Sequence, residues 1–551
     1  MKQALLIAAA LITLAPVVAH AQKEAGDVET RAMRDEMARS VKDLHLEGTE
    51  APYFIAYKIT DTERKEADAS LGALTASSET RSRTLSVSVR VGNYDSDSSG
   101  VASLALLTGT AQLPLDDNYE ELRRRIWIAT DNAYKGALES LASKKAAAQK
   151  RTNPERVADF SKEPARQESE TLPPVDIKLA DMEHIVRTTS AELAKLAAVE
   201  TGEAHFEAIN ATEHFLNSEG TTYLRQVPEV YFHASASTQR ETGQVLTDAV
   251  NEYGRALSEI PDEAALTHET ANIVLFLNAL DKARSSKPYT GPVLFEGQAA
   301  AELFGHSFAN LLTAKPATVG SGNALLDSLM RGPTGSLLNK MGSRVLPDFL
   351  SVTNNPTLAE ANGQNLLGAY KFDEEGTPAQ ETTLVKDGIL KTLLTSRTPV
   401  RGIDHSTGSM RERGILPGNI FVTTAKPSAL DEMKQQLLDL VKTRALDSGI
   451  IVRRLNANNA IEAYRILPDG REQMIRYAHL SEITPSIFRD ILAASDHPTV
   501  LTARAQSGGL LNLFSRGDLV TYSVPALLFE DISIVHSGGG TTKATVIPSP
   551  N

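Results

Sequence analysis

Glu302 and His306 stand four residues apart in this 551-residue chain. On a helix, residues at that spacing lie about 40° apart and share a side. That is the geometry of a general base beside a metal ligand. It is equally the geometry of a hydrogen-bonded Glu–His pair, and the pair is the reading we take. A hydrolytic zinc site keeps three protein ligands and an open position for a water whose proton the metal loosens. One histidine cannot hold zinc tightly. Further ligands would have to come from Asp404 and His405, from His479, His497 or His536, or from the acidic run Asp373-Glu374-Glu375. The plainer reading of that run is a solvated hairpin face.

Other chemistries find less support. Ser307 follows His306, and Ser406 follows His405, but adjacent side chains point apart on a helix or a strand. There is no Gly-x-Ser-x-Gly elbow. Gly320-Ser321-Gly322 lacks the following lysine of a phosphate loop. Arg344, Arg397, Arg401, Arg411 and Arg413 could grip carboxylates or carbonyls, although ordinary surface charge is the simpler account. The chain has no cysteine, which removes disulfides, thiolate–zinc sites, iron–sulfur clusters and cysteine nucleophiles together. Its net charge of −13 argues against a general nucleic-acid binder.

The elements that must position these residues read as follows. Lys2, the apolar run Leu5–Val18 and Ala19-His20-Ala21 form a secretory signal pattern over residues 1–21, implying export to the periplasm. The run is too short to span a bilayer, and no later segment is apolar enough, so no membrane span is expected after cleavage. Helices are expected over Val28–Leu44, Asp116–Lys145, Val175–Val199 and Glu263–Arg284. Trp127 reads as packing beside the second of these. Strands are expected around Tyr53–Tyr57, Leu85–Val91, Ala204–Leu216 and Thr222–Ser235, and Gln149–Pro174 as an exposed loop. Residues 22–287 then form an α/β domain with helices laid on a mostly antiparallel sheet. From residue 288 to 551 the sequence turns to short β-like runs, with helices over Ala299–Leu312 and Asp431–Leu446. Asp387-Gly388 is a hairpin signal. The fold class is α+β.

Several segments, in order, are similar to one family. Gly291-Pro292-Val293-Leu294-Phe295-Glu296-Gly297 through His306 resembles the metal-motif region of the TldD/PmbA family, peptidase-related proteins once described as modulators of DNA gyrase. Phe372-Asp373-Glu374-Glu375-Gly376-Thr377-Pro378, Val385–Lys391, Ser406-Thr407-Gly408-Ser409-Met410-Arg411, Ile461-Glu462-Ala463-Tyr464 and Asn217-Ser218-Glu219-Gly220 resemble further family segments. The agreement covers about residues 200 to 535. It implies a mixed N-terminal domain and a barrel-like, β-rich C-terminal domain. It implies a His-Glu-x-x-x-His helix holding zinc, with a cysteine as third ligand, and extended peptides threaded into a chamber between subunits. Here the first histidine position is Ala301, and no cysteine exists to supply the third. Together with the signal pattern, the resemblance therefore implies an exported, non-catalytic or degenerate subunit enclosing a peptide channel. It would pair with itself or with a metal-bearing relative and hold no cofactor of its own. The alternatives are an active metallopeptidase with zinc rebuilt at His306 and Glu302 as base, and a peptide-binding scaffold without proteolysis.

Overall fold

The computed structural model describes residues 28–101, 109–148, 157–240, 243–314, 337–412, 414–481, 483–505 and 517–536. The expected signal peptide, Gly320-Ser321-Gly322 and Arg413 lie outside the described residues.

In the N-terminal half, strands β1 (Pro52–Ser70), β2 (Ala73–Val91), β3 (Thr110–Gln112), β4 (Gln167–Glu170), β5 (Val199–Asn217), β6 (Thr222–Gln239) and β7 (Val245–Gly254) form one sheet, in the order β3-β2-β1-β5-β6. β4 and β7 share the outer edge of β6. β4 runs parallel to its first residues and β7 antiparallel to its later ones. The period-2 pattern of β1 explains how the sheet is covered. Ile55, Tyr57 and Ile59 pack with helices α1 (Val28–Asp43) and α2 (Tyr119–Ala148). Ala67 and Ala69 share a core with residues of α3 (Leu179–Leu193) and α4 (Glu263–Lys282). All four helices thus lie on one face. The intervening positions, Lys58, Thr60, Thr62, Arg64, Glu66 and Asp68, put a polar stripe on the other.

Two expectations change here. Trp127 is 47% exposed, with the Arg39 guanidinium over its ring, so the packing of α2 is carried by Leu122, Ile126 and Ala129 instead. Within the stretch expected as an exposed loop, Phe160 is buried against Phe54, and β4 joins the sheet.

The C-terminal half is β-rich. Tyr289–Phe295, Gly449–Asn456, Asn459–Ile466, Ala478–Leu480 and Leu519–His536 pair in a closed ring, a five-stranded barrel. Closure removes free edges. The helix α5 (Gln298–Ser307) packs into the core of this domain. The helix Leu430–Thr443 covers a second, smaller cluster around Leu294, Ile451 and Leu528. The Asp387-Gly388 turn forms as expected, both residues having positive φ, between Thr382–Lys386 and Ile389–Leu390.

Candidate functional site: a half-buried glutamate, a lone histidine and an interdomain cavity

α5 follows Gly297 and opens on an alanine run of high helix propensity. Ala299, Ala300, Ala301, Leu303, Phe304 and Gly305 are all buried, so the helix is apolar almost all round. A narrow stripe remains at Gln298, Glu302 and His306, at positions i, i+4 and i+8. Gly305 has a steric reason: a Cβ there would stand 2.9 Å from the Tyr522 ring.

Glu302 and His306 do share a side, yet they are not bonded to one another among the described residues. The Glu302 carboxylate turns back along the helix and across to the barrel. Gln298 Nε2 donates to Oε1 at 2.9 Å, and the Leu455 backbone N–H donates to Oε2 at 2.5 Å. Burial pushes the Glu302 carboxyl up to about 7, against the opposing pull of these two donors and of Arg454. His306 is exposed. The expectation of a Glu–His pair is therefore corrected: the interior N–H of Leu455 outcompetes a solvated imidazole for the carboxylate.

The proposed supplementary ligands are scattered. The Asp404 and His405 side chains bond each other in an exposed segment. His479 meets Asn459, His497 is exposed beside Asp496, and His536 stands by Ser285, Ser286 and the Tyr477 ring. Among the described residues no group of three or more His, Cys, Asp or Glu side chains could hold a metal ion. Ser406 is buried, and its Oγ accepts from Gly408 N–H.

The acidic run is no solvated face. It is buried between the two halves of the molecule. Asp373 accepts backbone N–H groups from Glu375, Thr377 and Met410. Burial nonetheless pushes its carboxyl up, with Glu375 nearby adding to the effect. Glu374 reaches across to the N-terminal sheet, where it pairs with Arg225 on β6 and, at 2.5 Å, with Lys58 on β1. Glu213 on β5 pairs with the same two cations. Burial alone would raise Glu374, but Arg225 and Lys58 hold it well below the carboxylate range. Glu375 accepts from the Arg397 N–H. Arg397 is no surface charge either. It is buried against Phe160 and bonds Glu219 and the Ser161 carbonyl.

Beside this network lies a cavity of about 900 Å³, between the polar face of the N-terminal sheet and the C-terminal loops. Thr60, Thr62, Thr84 and Ser86 line one side, and Tyr370 and Arg411 another. Arg411 pairs with Asp518 and lies over the Tyr370 ring. Neither Glu302 nor His306 lines this space. The sequence signal for it was the alternation along β2, where Thr84 and Ser86 alternate with Leu85 and Val87.

With the geometry in hand, similarity becomes informative. Residues 288–536 match the family described as PmbA/TldA metallopeptidase C-terminal domain. The C-terminal half of the chain thus carries the C-terminal domain of this family. Among curated family proteins, Metalloprotease MJ0996 of Methanocaldococcus jannaschii is 24% identical over 273 residues, 43% of this chain and 59% of that protein. Metalloprotease PmbA of Escherichia coli O157:H7 is 26% identical over 233 residues, 39% of this chain and 46% of that protein. The matched region thus spans less than two thirds of either relative. Two solved structures share the fold. A protein described as a modulator of DNA gyrase from Thermotoga maritima gives a TM-score of 0.59 at 14% identity, over 92% of this chain and 99% of that one. TldE from Thermococcus kodakarensis gives 0.57 at 16% identity, over 92% and 100%.

The zinc that the family implies does not fit the residues of α5. The first ligand position, Ala301, is a fully buried methyl in the apolar core. The Glu302 carboxylate is already bonded through both oxygens, and His306 stands without a second ligand among the described residues.

Proposed function

We propose that this protein is an exported, non-catalytic member of the TldD/PmbA family that holds extended peptides, acting as a subunit beside a metal-bearing relative. The observation that carries the reading is the state of Glu302, tied to Leu455 N–H and Gln298 on a helix whose neighbouring ligand position is alanine. A general base must be able to reach a water or a substrate proton. Here Leu455 N–H and the Gln298 amide take up the two carboxylate oxygens. The cavity supports the peptide-holding part. Its hydroxyls and its charges of both signs offer donors and acceptors together, which a peptide backbone with free termini can use. Export rests on the pattern of residues 1–21.

The value near 7 for Glu302 favours the rival reading of an active peptidase, because a base works best when poised near the working pH. One experiment separates them. The mature chain is incubated with a fluorescent, unstructured peptide, and binding is followed by anisotropy and cleavage by mass spectrometry. Saturable binding without cleavage, with cleavage appearing only when a metal-bearing relative is added, is the expected result. Cleavage by the lone chain that disappears in Glu302→Gln would establish the active peptidase instead.

A further inference from the structure

The outer face of the N-terminal sheet carries a second arrangement, distant in sequence from α5. Strand pairing sets His205 on β5 directly opposite His233 on β6. Asp68 on β1 stands opposite His205, and Asn251 on β7 stands opposite His233. The four residues form one row across four strands, Asp68–His205–His233–Asn251. The neighbouring positions Ala204, Phe206, Phe232 and Ala234 point the other way, into the core beneath α3 and α4. The row therefore faces outward, with the His205 side chain 26% exposed.

The hydrogen bonds orient both rings. His205 Nδ1 lies 2.7 Å from Asp68 Oδ1, and His233 Nδ1 lies 2.9 Å from Asn251 Oδ1. Both partners are oxygens, and the Tyr231 hydroxyl also donates to that same Asn251 oxygen at 2.9 Å. In the neutral rings each Nδ1 then carries the proton, which leaves each Nε2 with a lone pair. The two acceptors sit on the outer flanks of the row. Nδ1 and Nε2 lie on different edges of an imidazole, so each Nε2 is directed away from the acceptor that holds its Nδ1. No hydrogen bond among the described residues occupies either of them. The Tyr231 ring lies alongside both imidazoles, with centroids at 5.8 Å and 6.2 Å, and limits their rotation.

Directly opposed residues on antiparallel strands have Cβ atoms about 4.5–5.5 Å apart, within reach of one ion at the roughly 2.0–2.1 Å of a metal–imidazole bond. A ligating histidine whose other nitrogen donates to a carboxylate or an amide oxygen is the usual outer-shell arrangement of such sites. We propose that His205 and His233 form a binding site for a divalent transition metal of the zinc or copper class, completed by water, with Asp68 and Asn251 as positioning residues. Imidazole donors select these ions over magnesium or calcium. Two protein ligands make this an exchangeable site that clips β5 to β6, not a closed structural one.

Titration calorimetry of the full mature chain, stripped with chelator and then given ZnCl2, tests the proposal. The expected result is one saturable equivalent that His205→Gln and His233→Gln each abolish. Asp68→Asn should weaken it by roughly 10–100-fold, and His306→Gln should leave it unchanged. Zinc binding that survives both sheet variants, or no saturable binding by the wild-type chain, would overturn the proposal. Electron paramagnetic resonance of the unsubstituted protein with Cu2+ avoids any folding defect in the variants. It should report two imidazole nitrogens, and a spectrum with one or none would likewise overturn the assignment.

Discussion

Glu302 is a carboxyl whose proton is held by burial. Its folded value of about 7 lies above the ordinary 4.5, so the folded state binds the proton more tightly than the unfolded chain does. The sign follows from linkage: the contribution is greatest below about pH 4.5 and is lost as pH rises through about 7, by up to about 3 kcal/mol. Urea unfolding across that range should show stability falling with rising pH. In Glu302→Gln this component should be missing. A variant with the wild-type slope would place the titration elsewhere. The pairing of Glu302 with Leu455 was beyond sequence reasoning, because it joins residues 153 apart. Spacing along the helix showed only that Glu302, His306 and Gln298 share a side.

At the scale of elements, α5 is a core helix with one polar stripe, and its contacts predict its tolerance. In Gly305→Ala the added methyl meets the ring of Tyr522, a residue held in the core of the domain. Helix propensity would return up to about 1 kcal/mol, against roughly 1–3 kcal/mol for overpacking. Net destabilisation is therefore expected in a denaturant titration. Ala301→His tests whether the family motif can be restored by one change. The position is walled by apolar side chains, so the variant should lose stability by about 1–3 kcal/mol and gain no zinc by elemental mass spectrometry. A stoichiometric gain would show that the helix can turn this position toward His306. The alternation along the strands was readable in advance, as were the apolar stripe of α2 and the Asp387-Gly388 turn. Helix ends shifted by several residues because caps and packing set them, not periodicity.

At the scale of the molecule, the two halves are joined through Lys58, Arg225, Glu213 and Glu374, with Arg397 and Phe160 alongside. Removing one member of a buried network strands its partners' charges, at a cost of about 3–5 kcal/mol. Arg225→Met should incur that cost and split a single calorimetric transition into two, as the domains lose their coupling. One sharp transition at an unchanged Tm would show that the network is not what joins them. Glu374 is held below its ordinary value, so its share of the coupling is present above about pH 4.5 and fades as the solution is acidified further.

What the sequence determined by itself was local or ordered along the chain: the α+β class, the alternating faces of the long strands, the turns, and the family segments with alanine at the first ligand position. Those features depend on periodicity and residue type over a few turns or a few strand residues. The tertiary structure alone decided which carboxylate meets which donor. An acidic run that reads as solvated became, through Glu374, the partner of two strands of the N-terminal sheet, and Arg397 became an interior residue. It also set His205 against His233, since strand register places residues opposite one another at separations that periodicity along the chain does not encode.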